Sequence, residues 1–361
     1  MSDQNPRTPA ERPGGEPTGT ADGAVDTAVP EAAPTSDAVA KERGARAELW
    51  RKGLQQGLAF GTLIVLVIFF SIASGNFFTW SNISGILLAT AVIGILALGT
   101  TFVITTGGID LSIGTGMTLS AVMTGIVAVN LGMPMIVGVL AGIATGALMG
   151  LINGVNVAYL KLPPFIATLA MMMVAQGLAL VISGVRPIYF SGVPGFKNIA
   201  LGTLIPGLPN AVLIMFVLAV IAYFLLSKTV FGRYTVAIGS NEEATRLSGV
   251  NTNRWKVIIY TVAGVFTGIA GVVMAARLDS AQPQLGVGYE LQAIAAVIIG
   301  GTSLLGGRGS IVGTLIGALI MSVLINGLRI MSIQTEWQNV VVGVVIAIAV
   351  FADTLRNRRG V

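Results

Sequence analysis

The chain contains no cysteine and no histidine. Without cysteine there is no disulfide, no thiolate metal ligand and no thiol nucleophile. Without histidine the usual imidazole proton relay is missing. Charge is scarce too: Asp, Glu, Lys and Arg make up 10% of 361 residues, against about 25% in a soluble domain. A phosphate-cradling loop needs Gly followed by Lys and then Ser or Thr. All six lysines (Lys41, Lys52, Lys161, Lys197, Lys228, Lys256) follow some other residue, so nucleotide hydrolysis by that route is excluded. No cofactor or metal is expected. Aromatic residues interleaved with a basic patch are also absent, which argues against nucleic acid.

What fills the chain instead is apolar. Hydrophobic residues make up 54% and the mean hydropathy is +0.84. The expected fold is an all-α integral membrane bundle of about ten transmembrane helices. Apolar runs fall near residues 57–73, 84–105, 112–131, 135–154, 165–183, 210–227, 257–276, 291–305, 310–328 and 338–354. Most approach the roughly 20 residues that cross a bilayer. The eighth is short, flanked by Glu290 and Gly300-Gly301, and reads as a half-span buried in protein, where irregular backbone survives at membrane depth.

Residues 1–45 are rich in Pro, Gly, Ala, Thr and acids and cannot bury enough apolar surface to offset chain entropy. They read as a disordered cytoplasmic tail, with 46–361 as the transmembrane domain. No charged segment leading directly into an apolar run opens the chain, so no signal peptide is expected. Placing both termini in the cytoplasm puts all but Arg186, Lys197, Arg277 and Arg329 of the 21 bases inside, as the positive-inside rule asks.

One polar segment, 239–256, interrupts the apolar runs on the inner side. Ser240-Asn241-Glu242-Glu243 has capping-box spacing, and both acids suit the positive end of a helix dipole. Glu242 and Arg246 are spaced i,i+4. Gly249 is a natural stop. The spacing predicts a helix of about eight residues, too short to hold alone, whose Ala244 and Leu247 share a face that needs a cover. An ordinary turn helix lying on its own bundle and a docking helix for a cytoplasmic motor both fit.

Glycine recurs every four residues at Gly138, Gly142, Gly146, Gly150 and Gly154, again at Gly309, Gly313 and Gly317, and at Gly264 and Gly268. Such lines let helix backbones approach closely. The stretches at 107–115 and 306–314 echo each other as Gly-rich turns, and transporters often contain repeats. Asp110 opens the third span, where a carboxylate suits an N-cap; the other reading is that it gates the inner mouth, beside Ser112, or contacts a cytoplasmic motor. A neutral solute needs uncharged hydrogen-bonding groups on its path, at lower desolvation cost than charges. Candidates are Asn153, Asn156, Thr168, Gln176, Gln292 and Asn326, each of which could equally bond a neighbouring helix. The outer loop 184–209, rich in Gly, Pro and aromatics, reads either as a landing surface or as a poorly ordered hairpin.

Four stretches carry a resemblance: TTGGIDLSIGTGM (105–117), LINGVNVAYLKLPPFIATLAMM (151–172), GRYTVAIGSNEEATRLSGVN (232–251) and AAVIIGGTSLLGGRGSIVGTLIGALI (295–320). They resemble the membrane permease of ribose/xylose-type ABC importers, from about residue 50 to the end. The resemblance implies a non-catalytic subunit in the cell membrane that moves a monosaccharide inward by alternating access. It implies a dimeric pore with a second copy or a paralogue, cytoplasmic ATPase subunits and an extracytoplasmic sugar-binding protein. The 240–249 helix is then the coupling helix on the ATPase. Permeases for branched-chain amino acids or nucleosides would share this layout. A self-sufficient channel or ion-coupled carrier is disfavoured, because the spans hold almost no ionisable group.

Overall fold

A computed structural model describes Gly57 and residues 59–358. The expected tail, 1–45, lies outside the described residues. Among the described residues, eight helices are long and apolar enough to cross a bilayer, accompanied by two shorter apolar helices. In chain order they are α1 (Ala59–Ala73, short), α2 (Trp80–Thr105), α3 (Ile113–Gly125), α4 (Met135–Ala158) and α5 (Pro164–Ser183). After β1 (Ile188–Tyr189) and α6 (Asn198–Leu201) comes α7 (Asn210–Lys228). Two polar-side helices follow, α8 (Val230–Ser240) and α9 (Glu242–Leu247). The chain then forms α10 (Thr252–Leu278), β2 (Ser280–Ala281), α11 (Tyr289–Ile299, short), α12 (Ile311–Ile330) and α13 (Thr335–Arg358). α3 runs on as a π-helical segment, Ile126–Asn130, which completes its span.

The spans sort into a centre and a rim. α2, α3, α10 and α12 are mostly enclosed by protein; α4, α5, α7 and α13 leave most of their surface to the bilayer. Glycine sets the closest approach. A Cβ on Gly268 would stand 2.7 Å from the Ile143 Cα, and one on Gly154 2.7 Å from the Val257 Cα. Gly146 and Gly264 lie carbonyl to Cα across the same seam. α4 therefore meets α10 backbone to backbone, as small-residue lines allow. Gly313 and Gly317 do the same for α12 against Gly300, just beyond α11, and Ala296 of α11.

α11 stops after eleven residues, and the backbone of 300–310 is irregular. Its polar groups are nonetheless met: Thr302 N–H donates to the Val297 carbonyl, Ser303 N–H to Arg308 and Ser310 N–H to the Thr302 hydroxyl. Ser310 then caps α12 by accepting from Gly313 N–H at 3.1 Å. Such internal satisfaction is what lets non-helical backbone lie between spans.

The outer loop 184–209 is not a poorly ordered hairpin. β1 pairs antiparallel with β2, Phe190 N–H donates to the Asp279 carbonyl, and the buried rings of Phe190 and Phe196 stack at 3.8 Å. Burying two aromatic rings supplies the apolar area that holds the segment.

Candidate coupling segment and inner polar cluster

The polar segment folds as a helix, one step later than the capping pattern suggests. Ser240 ends α8, with its hydroxyl donating to the Val236 carbonyl at 2.9 Å. Asn241, in extended conformation, is the N-cap of α9 and accepts from Ala244 N–H at 2.9 Å. Glu243 therefore does not reach back to Ser240; it pairs with Arg246 at 2.6 Å. Glu242 does not pair with Arg246 either. It holds Lys256 of α10 at 2.6 Å, and that lysine side chain is only 17% exposed.

The end of α9 is closed as the sequence suggests. Gly249 has φ +87° and its N–H donates to the Arg246 carbonyl, while Val250 N–H donates to Thr245. That crossed pair with a left-handed glycine is the Schellman stop. Of the helix's six residues, Thr245 points into the protein and is buried. Ala244 and Leu247 point away, Leu247 being 78% exposed. The bundle leaves the apolar face of α9 uncovered.

α8 ties this helix to the spans. A Cβ on Gly239 would collide with the Thr105 carbonyl at the end of α2 and with Gly307 N. Gly307 N–H in turn donates to the Thr105 carbonyl at 2.9 Å. The two echoing glycine turns meet here too: a Cβ on Gly306 would lie 2.8 Å from Gly107 N. Ends of α2, α8 and α11–α12 thus converge at one point. Beside α9, a cleft of about 640 Å³ is lined by Lys161, Glu242, Glu243, Arg246 and residues 249–253.

Four of the candidate pathway residues come together behind that point. Asp110 is buried and lies two residues before the N-cap Ser112, so it does not cap α3 itself. Its Oδ1 accepts from Ser112 N–H at 2.8 Å and from the Ser112 hydroxyl at 2.6 Å. Asn153 Nδ2 donates to the Ser112 hydroxyl at 2.9 Å. The Thr168 hydroxyl donates to the Ile109 carbonyl at 3.1 Å. Burial pushes the Asp110 carboxyl up, and the Ser112 and Asn153 donors oppose that. No cation pairs with it among the described residues. Tyr260 of α10, which sequence reasoning did not single out, joins this cluster. Its buried hydroxyl lies against Gly108, two residues before Asp110. Among the described residues, Tyr260 Oη and Asn153 Oδ1 have no hydrogen-bond partner.

The other candidates are dispersed. Asn156, Gln176 and Gln292 are half-buried on α4, α5 and α11, and Asn326 on α12 has a buried Oδ1 with no partner among the described residues. No side-chain hydrogen bond among the described residues links any of them to the Asp110 cluster. Sequence reasoning did not single out Lys161 and Asn253, which line the cleft, or Lys256, which pairs with Glu242, because their relevance lies in contacts between segments apart in the chain.

Comparison with known proteins decides the family. Residues 82–350 match the family described as branched-chain amino acid transport system / permease component. The chain belongs to this permease family. It is 44% identical over 299 residues to the ribose import permease of Escherichia coli strain K12, covering 82% of this chain and 92% of that one. It is 46% identical to the ribose import permease of Bacillus subtilis strain 168, covering 84% and 95%. The xylose transport system permease of Haemophilus influenzae is 35% identical over 85% of this chain and 98% of its own. No solved structure matches. The chain is thus a multi-pass permease component of the cell membrane and not a catalytic subunit.

Proposed function

We propose that the chain is the permease of an ATP-driven importer that carries a monosaccharide of ribose or xylose type inward. Its curated relatives over four-fifths of the length are sugar permeases, which favours a sugar over a branched-chain amino acid. The described spans offer neutral amides and hydroxyls for such a solute, at lower desolvation cost than charges. The fuel comes from cytoplasmic ATPase subunits, the sugar from an extracytoplasmic binding protein, and the pore is completed by a second permease copy or a paralogue.

The observation that carries this reading is α9: a six-residue helix capped at both ends, with Leu247 and Ala244 uncovered. A helix this short is not stable by itself, and an exposed apolar face on a rigid mount invites a groove. Its motion has two routes inward. Glu242–Lys256 leads to α10, and Gly239 leads to the ends of α2 and the α11–α12 turn. ATP-driven closure of the motor would pull on α9, and the α4–α10 glycine seam is where helices slide as the opening passes from one face to the other.

The test is reconstitution in proteoliposomes with the cognate ATPase and binding protein. The triple variant Glu243→Ala, Leu247→Asp, Gly249→Leu is expected to lose ATP-dependent uptake while its spans stay folded. Full uptake by that variant rules the coupling route out.

A further inference from the structure

The coupling helix is not the sole feature turned toward the cytoplasm. Residues 159–163 join α4 to α5 in a tight turn held by Leu160 N–H to the Val155 carbonyl and Leu162 N–H to Asn156. Lys161 adopts φ +57° there, a left-handed conformation that costs a non-glycine residue roughly 1 kcal/mol or more. The result is a rigid turn with Leu160 63% exposed. Lys161 Nζ crosses to Asn253, at the start of α10, at 2.9 Å. It thereby lines the same cleft as Glu242, Glu243 and Arg246 of α9.

The charges of that cleft are unevenly matched. Glu243 is held by Arg246 and Glu242 by Lys256. The Lys161 ammonium meets a neutral amide, and no carboxylate reaches it among the described residues. An ammonium satisfied only by an amide keeps its attraction for an acid. Its place in a polar cleft lined by α9, bonded to Asn253 of α10, selects a protein partner over a headgroup.

We propose that the α4–α5 turn is a second seat for the ATPase, continuous with α9: Lys161 takes a carboxylate of the ATPase into the cleft while Leu160, with Leu247, rests on apolar surface at its rim. The inference rests on the coupling role of α9. It adds a contact at the start of α5, so one motor subunit grips α5, α9 and α10 together. Charge at such a rim governs encounter and salt dependence, and the apolar residue contributes by burial.

The experiment measures affinity of the full-length permease in nanodiscs for its purified cognate ATPase, by biolayer interferometry at two salt concentrations. Thermal melting of each variant checks that it is folded. Lys161→Glu and Leu160→Asp are each expected to weaken binding about tenfold. Lys161→Arg should stay within about twofold, and Lys161→Gln should fall between, with a reduced salt dependence. Leu247→Asp serves as the control for α9. If Leu247→Asp weakens binding while the Lys161 and Leu160 variants do not, the second seat is overturned and α9 stands. If none of them weakens binding, both fail. If Lys161→Glu alters only the anionic phospholipid that copurifies, the turn is a lipid contact and the proposal falls.

Discussion

Glycine 264 shows how much one missing methyl group decides. A side chain there would meet the Gly146 carbonyl, and across the same seam a Cβ on Gly150 would meet the Tyr260 carbonyl. Neither obstacle is a flexible side-chain tip. Gly264→Leu is therefore expected to lower the melting temperature in detergent, from an overpacking cost of roughly 1–3 kcal/mol. Gly177 in α5 faces open space. Gly177→Ala should be neutral or stabilising by up to about 1 kcal/mol, since alanine costs less backbone entropy in a helix. Asp110 makes a second prediction at this scale. Burial raises its carboxyl above the ordinary 3.8, so the folded state favours the protonated form. The penalty is absent well below pH 3.8, grows as pH rises from there to the folded value and is constant above it. Asp110→Asn keeps an oxygen for Ser112 N–H and cannot titrate. The melting temperature of the parent relative to this variant should therefore rise as pH is lowered toward 3.8. A difference that stays flat with pH would remove the titration argument.

At the scale of elements, α9 depends on contacts at its margins more than on its own length. Its N-cap is worth about 1 kcal/mol on replacement by alanine, a large share of what a six-residue helix can hold. Asn241→Ala is expected to speed hydrogen exchange of the amides at 244–248 and leave those of α10 unchanged. Glu242→Ala strands Lys256, which has little access to water; removing one partner of such a pair leaves an uncompensated charge. This variant should still bind the ATPase through Leu247 but raise the ATP hydrolysed per sugar imported. A merely structural role for Glu242 predicts loss of folded protein with an unchanged ratio. α11 illustrates the same dependence on neighbours. Its irregular end at 300–310 is tolerable because Thr302, Ser303 and Ser310 meet their backbone groups locally and the glycines of α12 lie close.

For the whole molecule, the prediction concerns energy. The described spans are poor in ionisable groups of the kind that couple an ion gradient. The purified chain alone in liposomes should not concentrate ribose or xylose, whatever proton or sodium gradient is imposed. Adding the cognate ATPase, binding protein and ATP should produce accumulation. Uphill uptake by the isolated polypeptide overturns the proposed partnership.

Span positions, the half-length α11 and a capped polar helix were all legible in the linear chain. Each follows from a property that acts over a few residues: hydropathy, turn chemistry and capping. Gly249 and the glycine lines could be read for the same reason, since a left-handed stop or a close approach demands a residue without Cβ. The Asp110 cluster was half legible. Asp110 and Ser112 are neighbours, but Asn153 and Tyr260 reach them from other helices. Only the tertiary structure decided that Glu242 holds Lys256 in place of Arg246, that Asn241 and not Ser240 caps α9, and that α2 and α10 lie central while α4 and α13 face outward. In a bilayer the lipid-facing side of a helix is as apolar as its buried side, so hydrophobicity locates a span without saying what surrounds it. Which helices meet is settled by backbone fit and polar satisfaction between segments far apart in the chain.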